Sequence, residues 1–483
     1  MPDERQEEEE SLEDRSLKSM LKNAPALMFS TTFHMLLLII LGLWTLTLRK
    51  DSANEITATY AEELGTQLID DSVLMAGSES LEKVDQNIIT PTNLPAVPDP
   101  FAAPPKIDAI AVEGTSAVSF NASDAPIGMA LLGRQKGSKN QLLGKYGGNA
   151  TTEKAVLMGL KWLARQQKGD GSWSLQGPYS DGGQDENTNS ATAMALLAFQ
   201  GAGNTHKAGE FQKNVAKGWE YLLKVMGKDG TFYQTGVPPH QSLYTQAQCT
   251  IALCELWGMT KDSKYKEPAE RAVKYACRIQ ERVDVANMQG GGWRYQPGAE
   301  SDTSVTGWFV MALQSAKMGG LEVPQETLDN IGRYLDFAQV DDGRRYAYTP
   351  GTFITPAVSA EGLLCREYLG WKQTDPRLIE GCKALCQNPV NYNGTDPDVY
   401  YWYYATQATH HMEGQIWDDW NKVMRQEVPA HQNQKAPEDG SWNPKGDKWG
   451  SYGGRLYVTC LSIYMLEVYY RHLPIYAGIK AFK

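Results

Sequence analysis

From Thr151 onward, apolar residues recur at i, i+3 and i+4 spacing, and two kinds of segment alternate. One kind is amphipathic and charged, at 152–167, 211–226, 265–283, 325–339, 375–387 and 416–427. The other is nearly charge-free, at 189–200, 240–253, 303–316, 355–368, 399–413 and 455–470. A helix that is apolar all round must be buried on all sides. Exposed helices alternating with buried ones predict two concentric rings: an all-α fold, an α6/α6 toroid over 146–475, with a C-terminal tail at 476–483.

A recurring phrase ties the alternation together. At 159–173 it reads GLKWLARQQKGDGSW, with Gly159, Trp162-Leu163, Gln167, Gly171 and Trp173. The register returns as Gly218, Tyr221-Leu222, Met226, Gly230 and Phe232. It returns again as Tyr334-Leu335, Gln339 and Gly343, with Ile331 in the small residue's place and Arg345 in the aromatic's. Looser copies occur at 272–293 and at Gly440-Ser441-Trp442. A period of roughly 50 residues marks stacked supersecondary units. The Gln is expected to satisfy carbonyls orphaned at its own helix's C-terminus. The glycine permits the turn, and the aromatic packs beneath it.

The chain before the toroid is of a different kind. Residues 1–22 are acidic and polar and read as a disordered tail. Residues 23–48 carry no charge and include a stretch long enough to span a hydrocarbon core. A cleavable signal peptide would have a basic leader, a shorter apolar stretch and a small-x-small site; the acidic leader favours a retained transmembrane helix. Arg15, Lys18 and Lys22 before it, against Arg49 and Lys50 after it, predict a cytoplasmic N-terminus and an extracytoplasmic toroid. Residues 49–145 read as a linker, Pro-rich and extended at 91–106.

Composition narrows the partners. A net charge of −11 with scattered Lys and Arg argues against nucleic acid. The seven cysteines show no CxxC, fall in predicted helices and read as buried thiols, so neither a disulfide framework nor a zinc site is expected.

The phrase at 159–173 resembles the QW repeat of squalene and oxidosqualene cyclases and of protein prenyltransferase β subunits. Only Met158 departs, where that repeat usually has Lys or Arg. The resemblance spans about 150–470 and extends to bacterial membrane-anchored proteins of that superfamily. It implies a terpenoid-cyclase-like toroid and, as an expectation, action on an isoprenoid lipid drawn from the membrane. Chemistry has to be argued from the site. Those cyclases protonate their substrate with an Asp in DxDD or a DCTAE-like motif at the start of an inner helix. Here the nearest segment is Glu300-Ser301-Asp302-Thr303-Ser304, with Ser301 where the central acid belongs. Asp302 is the candidate catalytic acid; the alternative is an N-cap. The prenyltransferases' Asp-x-Cys zinc pair is absent, so no metal and no cofactor are expected.

Asp341-Asp342 reads as a turn, and Asp396-Pro397-Asp398 as a helix cap. Inner-ring aromatics imply a cavity lined by His240, Tyr244, Thr303, Trp308, Asp398, Trp402, Tyr403 and His410, suited to an apolar or sugar-like ligand. Asp185, Asn187 and Asn189 share the rim where inner helices begin. Two other readings stand beside the isoprenoid enzyme. One is a non-catalytic, membrane-tethered binding or scaffold toroid, favoured by a filled barrel. The other is a carbohydrate-active α6/α6 enzyme, which needs paired carboxylates such as Asp302 with Asp398 or Asp185.

The predicted topology has a direct check. A reporter fused after Lys483 is expected to be active only in an extracytoplasmic form. Release of the chain from membranes by salt or carbonate would refute the anchor.

Overall fold

A computed structural model describes Leu131 and residues 133–233 and 236–476. All lie in one unit, Asn93–Lys483. The acidic tail, the apolar window at 23–48, the Pro-rich stretch and nearly all of the C-terminal tail fall outside the described residues. No described helix is long and apolar enough to cross a membrane.

The described helices are α1 (Lys136–Lys145), α2 (Ala150–Gln166), α3 (Thr188–Gly201), α4 (Gln212–Val225), α5 (Ser242–Thr260), α6 (Ser263–Arg278), α7 (Thr303–Met318), α8 (Gln325–Ala338), α9 (Pro356–Tyr368), α10 (Pro376–Cys386), α11 (Val399–Met412), α12 (Gly414–Ala430) and α13 (Gly450–Arg471). Strands β1 (Gln339–Val340) and β2 (Arg345–Tyr346) form a small antiparallel ladder between α8 and α9. Each inner helix packs on the next in the order α3, α5, α7, α9, α11, α13, and α13 returns to α3. Helices α2, α4, α6, α8, α10 and α12 lie outside them, so the rings predicted from the pattern are closed. The linker predicted to run to 145 gives way earlier, because α1 packs against α13.

The inner helices are almost wholly buried, as their charge-poor sequences require. Four begin on a side-chain cap. Asn187 accepts from the Ser190 amide, Asp302 from Val305, Thr355 from Val358 and Asp398 from Tyr401. Within α13, Gly454 (φ 71°) breaks the helical run, and a side chain there would strike the Gly182–Gly183 backbone.

The recurring phrase builds one turn several times. Trp173, Trp293 and Trp442 donate their indole N–H to Leu163 (2.7 Å), Ala276 (3.0 Å) and Val428 (2.7 Å), carbonyls near the ends of α2, α6 and α12. Their backbone amides donate to Thr192, Thr306 and Thr459 on the following inner helices. The glutamine's expected role is corrected here. Gln167 donates to the carbonyls of Gly171 (2.8 Å) and of Asn214 on the next outer helix (2.9 Å), not to its own helix end. Gln280 bridges Gly291 and Thr327 in the same way, and Gln432 bridges Gly440 and Ala155. Gly171 (φ 92°) lies with its Cα on the Lys217 carbonyl, leaving no room for a Cβ. Where Met226 stands in for glutamine, Gln246 of α5 reaches Gly230 and the Phe232 amide instead. In the copy at 331–345, Tyr346 is the buried aromatic and Arg345 is exposed. The β ladder there shifts the ring by one residue.

Trp173 is fully buried. Trp173→Ala is expected to cost about 3–5 kcal/mol in urea unfolding, as for other large aromatic truncations. Trp173→Phe keeps the ring but leaves the Leu163 carbonyl unpaired, at about 1–3 kcal/mol. A Trp173→Phe protein as stable as wild type would refute the capping role of the indole.

Candidate functional site

The end of the barrel where inner helices begin collects the chemistry. Asp302 caps α7 and is fully buried. One carboxylate oxygen accepts the Val305 amide (2.7 Å); the other accepts the Tyr348 hydroxyl (3.2 Å) and lies 3.6 Å from the Arg294 guanidinium. Asp302 is thus an N-cap and also a buried acid. Desolvation outweighs the cap bond and Arg294, pushing its pKa up to about 7.

A second buried acid, absent from the sequence-based candidates, lies below. Glu361, on α9, is fully buried and accepts the Tyr400 hydroxyl at 2.7 Å. Gly307 of α7 faces it; a side chain there would come within 3.4 Å of its carboxylate. Burial, with Asp302 and Asp398 nearby, pushes its pKa well above the carboxylate range. Tyr400 is a hub. It accepts the Trp308 indole N–H at 3.0 Å and meets the Ser304 hydroxyl at 2.8 Å. Ser304 in turn meets the Tyr244 hydroxyl at 2.7 Å. The sequence offered one signal for Glu361, an acid in the middle of a charge-poor helix whose other charges, Arg366 and Glu367, lie at its end.

Rings continue this chain outward. Tyr244 and His240 lie against Tyr295, whose hydroxyl bonds that of Tyr348, and Tyr348 stacks on Phe353 with centroids 5.1 Å apart. Arg294 sits over both Tyr295 and Tyr348. The path runs from exposed Phe353 to buried Glu361.

The remaining predicted residues divide. Thr303 donates to the Ala347 carbonyl (2.7 Å) and is structural. Asp398 caps α11, 3.8 Å from Lys448. Asn187 bonds Gln241 and Thr245, and Asn189 bonds the Phe232 carbonyl. Asp185 is partly exposed at the rim. Asp341 and Asp342, both at positive φ, form a turn. Trp402 and His410 are not with the others. Trp402 points outward onto Tyr392, and His410, at the far end of α11, lies between Tyr146 and Trp417. Adjacent His411 bonds Tyr368. Among the described residues no cluster of His, Cys, Asp and Glu could hold a metal ion.

The barrel axis is filled. Trp308 and Tyr403 stack across it (6.0 Å), Tyr403 meets Tyr464 (5.5 Å), and the Tyr464 hydroxyl donates to the Met194 carbonyl. Toward the opposite end, a void of about 10 Å³ lies among Gln314, Tyr368, Tyr403 and Arg471, room for one water. That end is closed by ions: Glu255 takes a bidentate pair from Arg134 (2.9 Å each), and Arg471 bridges Glu255 and Glu467.

No family model matches the chain, and no curated protein sequence matches it. Solved structures similar to it are distant α/α toroids. The GH76A α-1,6-mannanase from Salegentibacter sp. HEL1_6 is 11% identical (TM-score 0.47), over 66% of this chain and 98% of that one. An α-amylase from Clostridium perfringens is 10% identical (TM-score 0.44), over 66% and 98%. The type II terpene cyclase MstE from Scytonema is 12% identical (TM-score 0.44), over 66% and 97%.

Because the Asp302 pKa is raised in the fold, the folded state holds its proton between about pH 4 and 7 while the unfolded chain does not. The wild type therefore loses stability from this group as pH rises through that window, by up to about 1.4 kcal/mol per pH unit. Asp302→Asn keeps an oxygen for the cap and removes the proton. Urea melts across pH 4–7 are expected to give the variant a shallower decline; parallel curves would show that Asp302 is charged throughout.

Proposed function

We propose that this is a non-catalytic binding toroid, held outside the cytoplasm by an anchor at 23–48, whose ligand is an uncharged saccharide laid across the inner-helix N-terminal end. One observation carries the reading: the axis is filled while that single end displays rings. Among the described residues, Val285, Met288, Phe353, Trp449 and Tyr452 are 42–67% exposed, and all five lie in or beside outer-to-inner connections at that end. The sixth exposed large apolar residue, Leu157, is on outer helix α2.

A chamber for an isoprenoid chain would have to occupy the axis, where Trp308, Tyr403 and Tyr464 meet. A ligand on the face instead meets exposed rings beside partly exposed Tyr244, Tyr400 and Tyr457. Flat rings beside hydroxyls suit the apolar faces and hydroxyls of a sugar. Two cations there are engaged, Arg294 with Asp302 and Lys448 with Asp396, which fits an uncharged ligand.

A catalytic reading is favoured by Asp302, whose pKa near 7 suits a general acid. It keeps the isoprenoid enzyme and the carbohydrate-active enzyme as rivals. The test uses the full chain in detergent and an array of neutral mannan, glucan and chitin oligomers. Phe353→Ala and Trp449→Ala are expected to weaken binding at least about tenfold, as for interface aromatics, while Leu157→Ala leaves it unchanged. Silence across the array sinks the saccharide. Product formed from squalene, geranylgeranyl compounds or the oligomers by wild type, and lost in Asp302→Asn, puts an enzyme ahead.

A further inference from the structure

We infer that Glu361 sets the hydrogen-bond polarity of this face, so that Tyr244 offers a donor while the acid is protonated and only lone pairs once it is ionised. The inference rests on reading that end as the ligand face. It is carried by the chain Tyr244, Ser304, Tyr400, Glu361, with links of 2.7, 2.8 and 2.7 Å. Each hydroxyl has one proton to give, so the direction of one link fixes the next. A carboxylate can only accept. Tyr400 then donates to Glu361, Ser304 to Tyr400 and Tyr244 to Ser304, leaving Tyr244 no proton for a ligand.

With its proton on the oxygen that faces Tyr400, Glu361 reverses every link. Its acid O–H donates to Tyr400, Tyr400 to Ser304 and Ser304 to Tyr244, and the Tyr244 O–H is released. The Trp308 indole donates to Tyr400 in both states, and Tyr400 makes three hydrogen bonds in each. Reversal therefore breaks no contact within the chain. Protons rotate between existing partners, and none is transferred to the ligand. Buried hydroxyl chains of this kind act as a unit.

The surroundings favour the neutral acid at rest. From α11, Tyr400, Tyr404 and Asp398 face Glu361; from α7, Asp302 does; Tyr244, Tyr334 and Tyr457 face it from α5, α8 and α13, and Cys365 from its own helix. All are acids or neutral hydroxyls and thiols, and none stabilises a carboxylate by opposite charge. Burial adds to this and outweighs the hydroxyls of Tyr400 and Tyr404 beside the carboxyl. The ligand class that follows is a hydrogen-bond acceptor, the ether or hydroxyl oxygen of a neutral molecule, whose affinity falls as pH rises through the Glu361 pKa.

The chain can be read without any ligand, so this test stands apart from the saccharide assay. Infrared difference spectra of the full chain in detergent are taken between acid and alkaline pH. The wild type is expected to show a carboxylic-acid C=O band and a tyrosine C–O band that titrate with one midpoint. Glu361→Gln removes the titrating proton and is expected to lose this pair of bands, while those of Asp302 with Tyr348 and of Glu467 stay. Tyr400→Phe should keep the acid band and lose the tyrosine band that moves with it; Tyr244→Phe, at the partly exposed end, does the same if Glu361→Gln fails to fold. An acid band that titrates with the tyrosine band unmoved overturns the inference. Asp302→Asn removes the separate Asp302–Tyr348 titration; in that background, a titrating tyrosine band that persists on adding Glu361→Gln also overturns the inference, as does an acid band that does not titrate over the folded range.

Discussion

An α-helix ends in carbonyls that have lost their intrahelical donors, and an outer helix of this barrel ends against apolar side chains where water cannot replace them. An indole N–H answers the problem at Trp173, Trp293 and Trp442. The ring that delivers the donor also fills the gap above the next inner helix, whose threonine takes the ring's own backbone amide. One residue thus fixes three elements. The turn that presents it lays a glycine on the neighbouring outer helix, and the glutamine clasps that neighbour. Each unit is incomplete without the next, so the array has to close. Gln432 and Gly440 of the last outer unit rest on Ala155 and Met158 of the first, and Arg455 holds Asp181 across the same seam at 2.6 Å.

That dependence explains what was legible in the sequence. A turn repeated for a structural reason must repeat its residues, and charge must leave helices buried on all sides, so the rings could be drawn from the pattern. The errors fall where the pattern carries no information about partners. Gln167 looks local because it is four residues from Gly171, yet its other bond crosses to Asn214. Tyr346 escaped because a two-residue ladder slides the ring by one position. Trp402 and Tyr403 are neighbours in an aromatic run, but successive helical positions diverge by about 100°, so one faces the axis and the other Tyr392. Arg134 sits in what reads as linker, and only the fold shows it seated on Glu255.

Buried carboxylates in the barrel meet the cost of burial in two ways. At the closed end Glu255 lies between Arg134 and Arg471, and those cations hold its pKa below the usual range despite burial. Glu467 shares only Arg471 and is pushed up to about 8. At the other end, Asp302 has one partly exposed arginine at 3.6 Å and Glu361 is surrounded by groups that cannot offset its charge. Ionising either there costs desolvation with little return. Charge is thus kept at Glu255, where two arginines meet one carboxylate, and protons are kept where they do not.

If the inner-helix N-terminal end is the ligand face proposed above, it would discriminate by hydrogen-bond direction and ring contact more than by charge. Arg294 is committed to Asp302 and to the faces of Tyr295 and Tyr348, so it serves the wall more than a passing anion. The overall charge of −11 opposes polyanions as well. What remains to distinguish one neutral molecule from another is the polarity of the hydroxyls beside the rings. Tyr244 belongs to both systems at once, its ring against Tyr295 and its hydroxyl in the chain to Glu361. On the proposed reading, a molecule seated on the rings would meet a hydroxyl whose donor or acceptor character is set three hydrogen bonds below the surface.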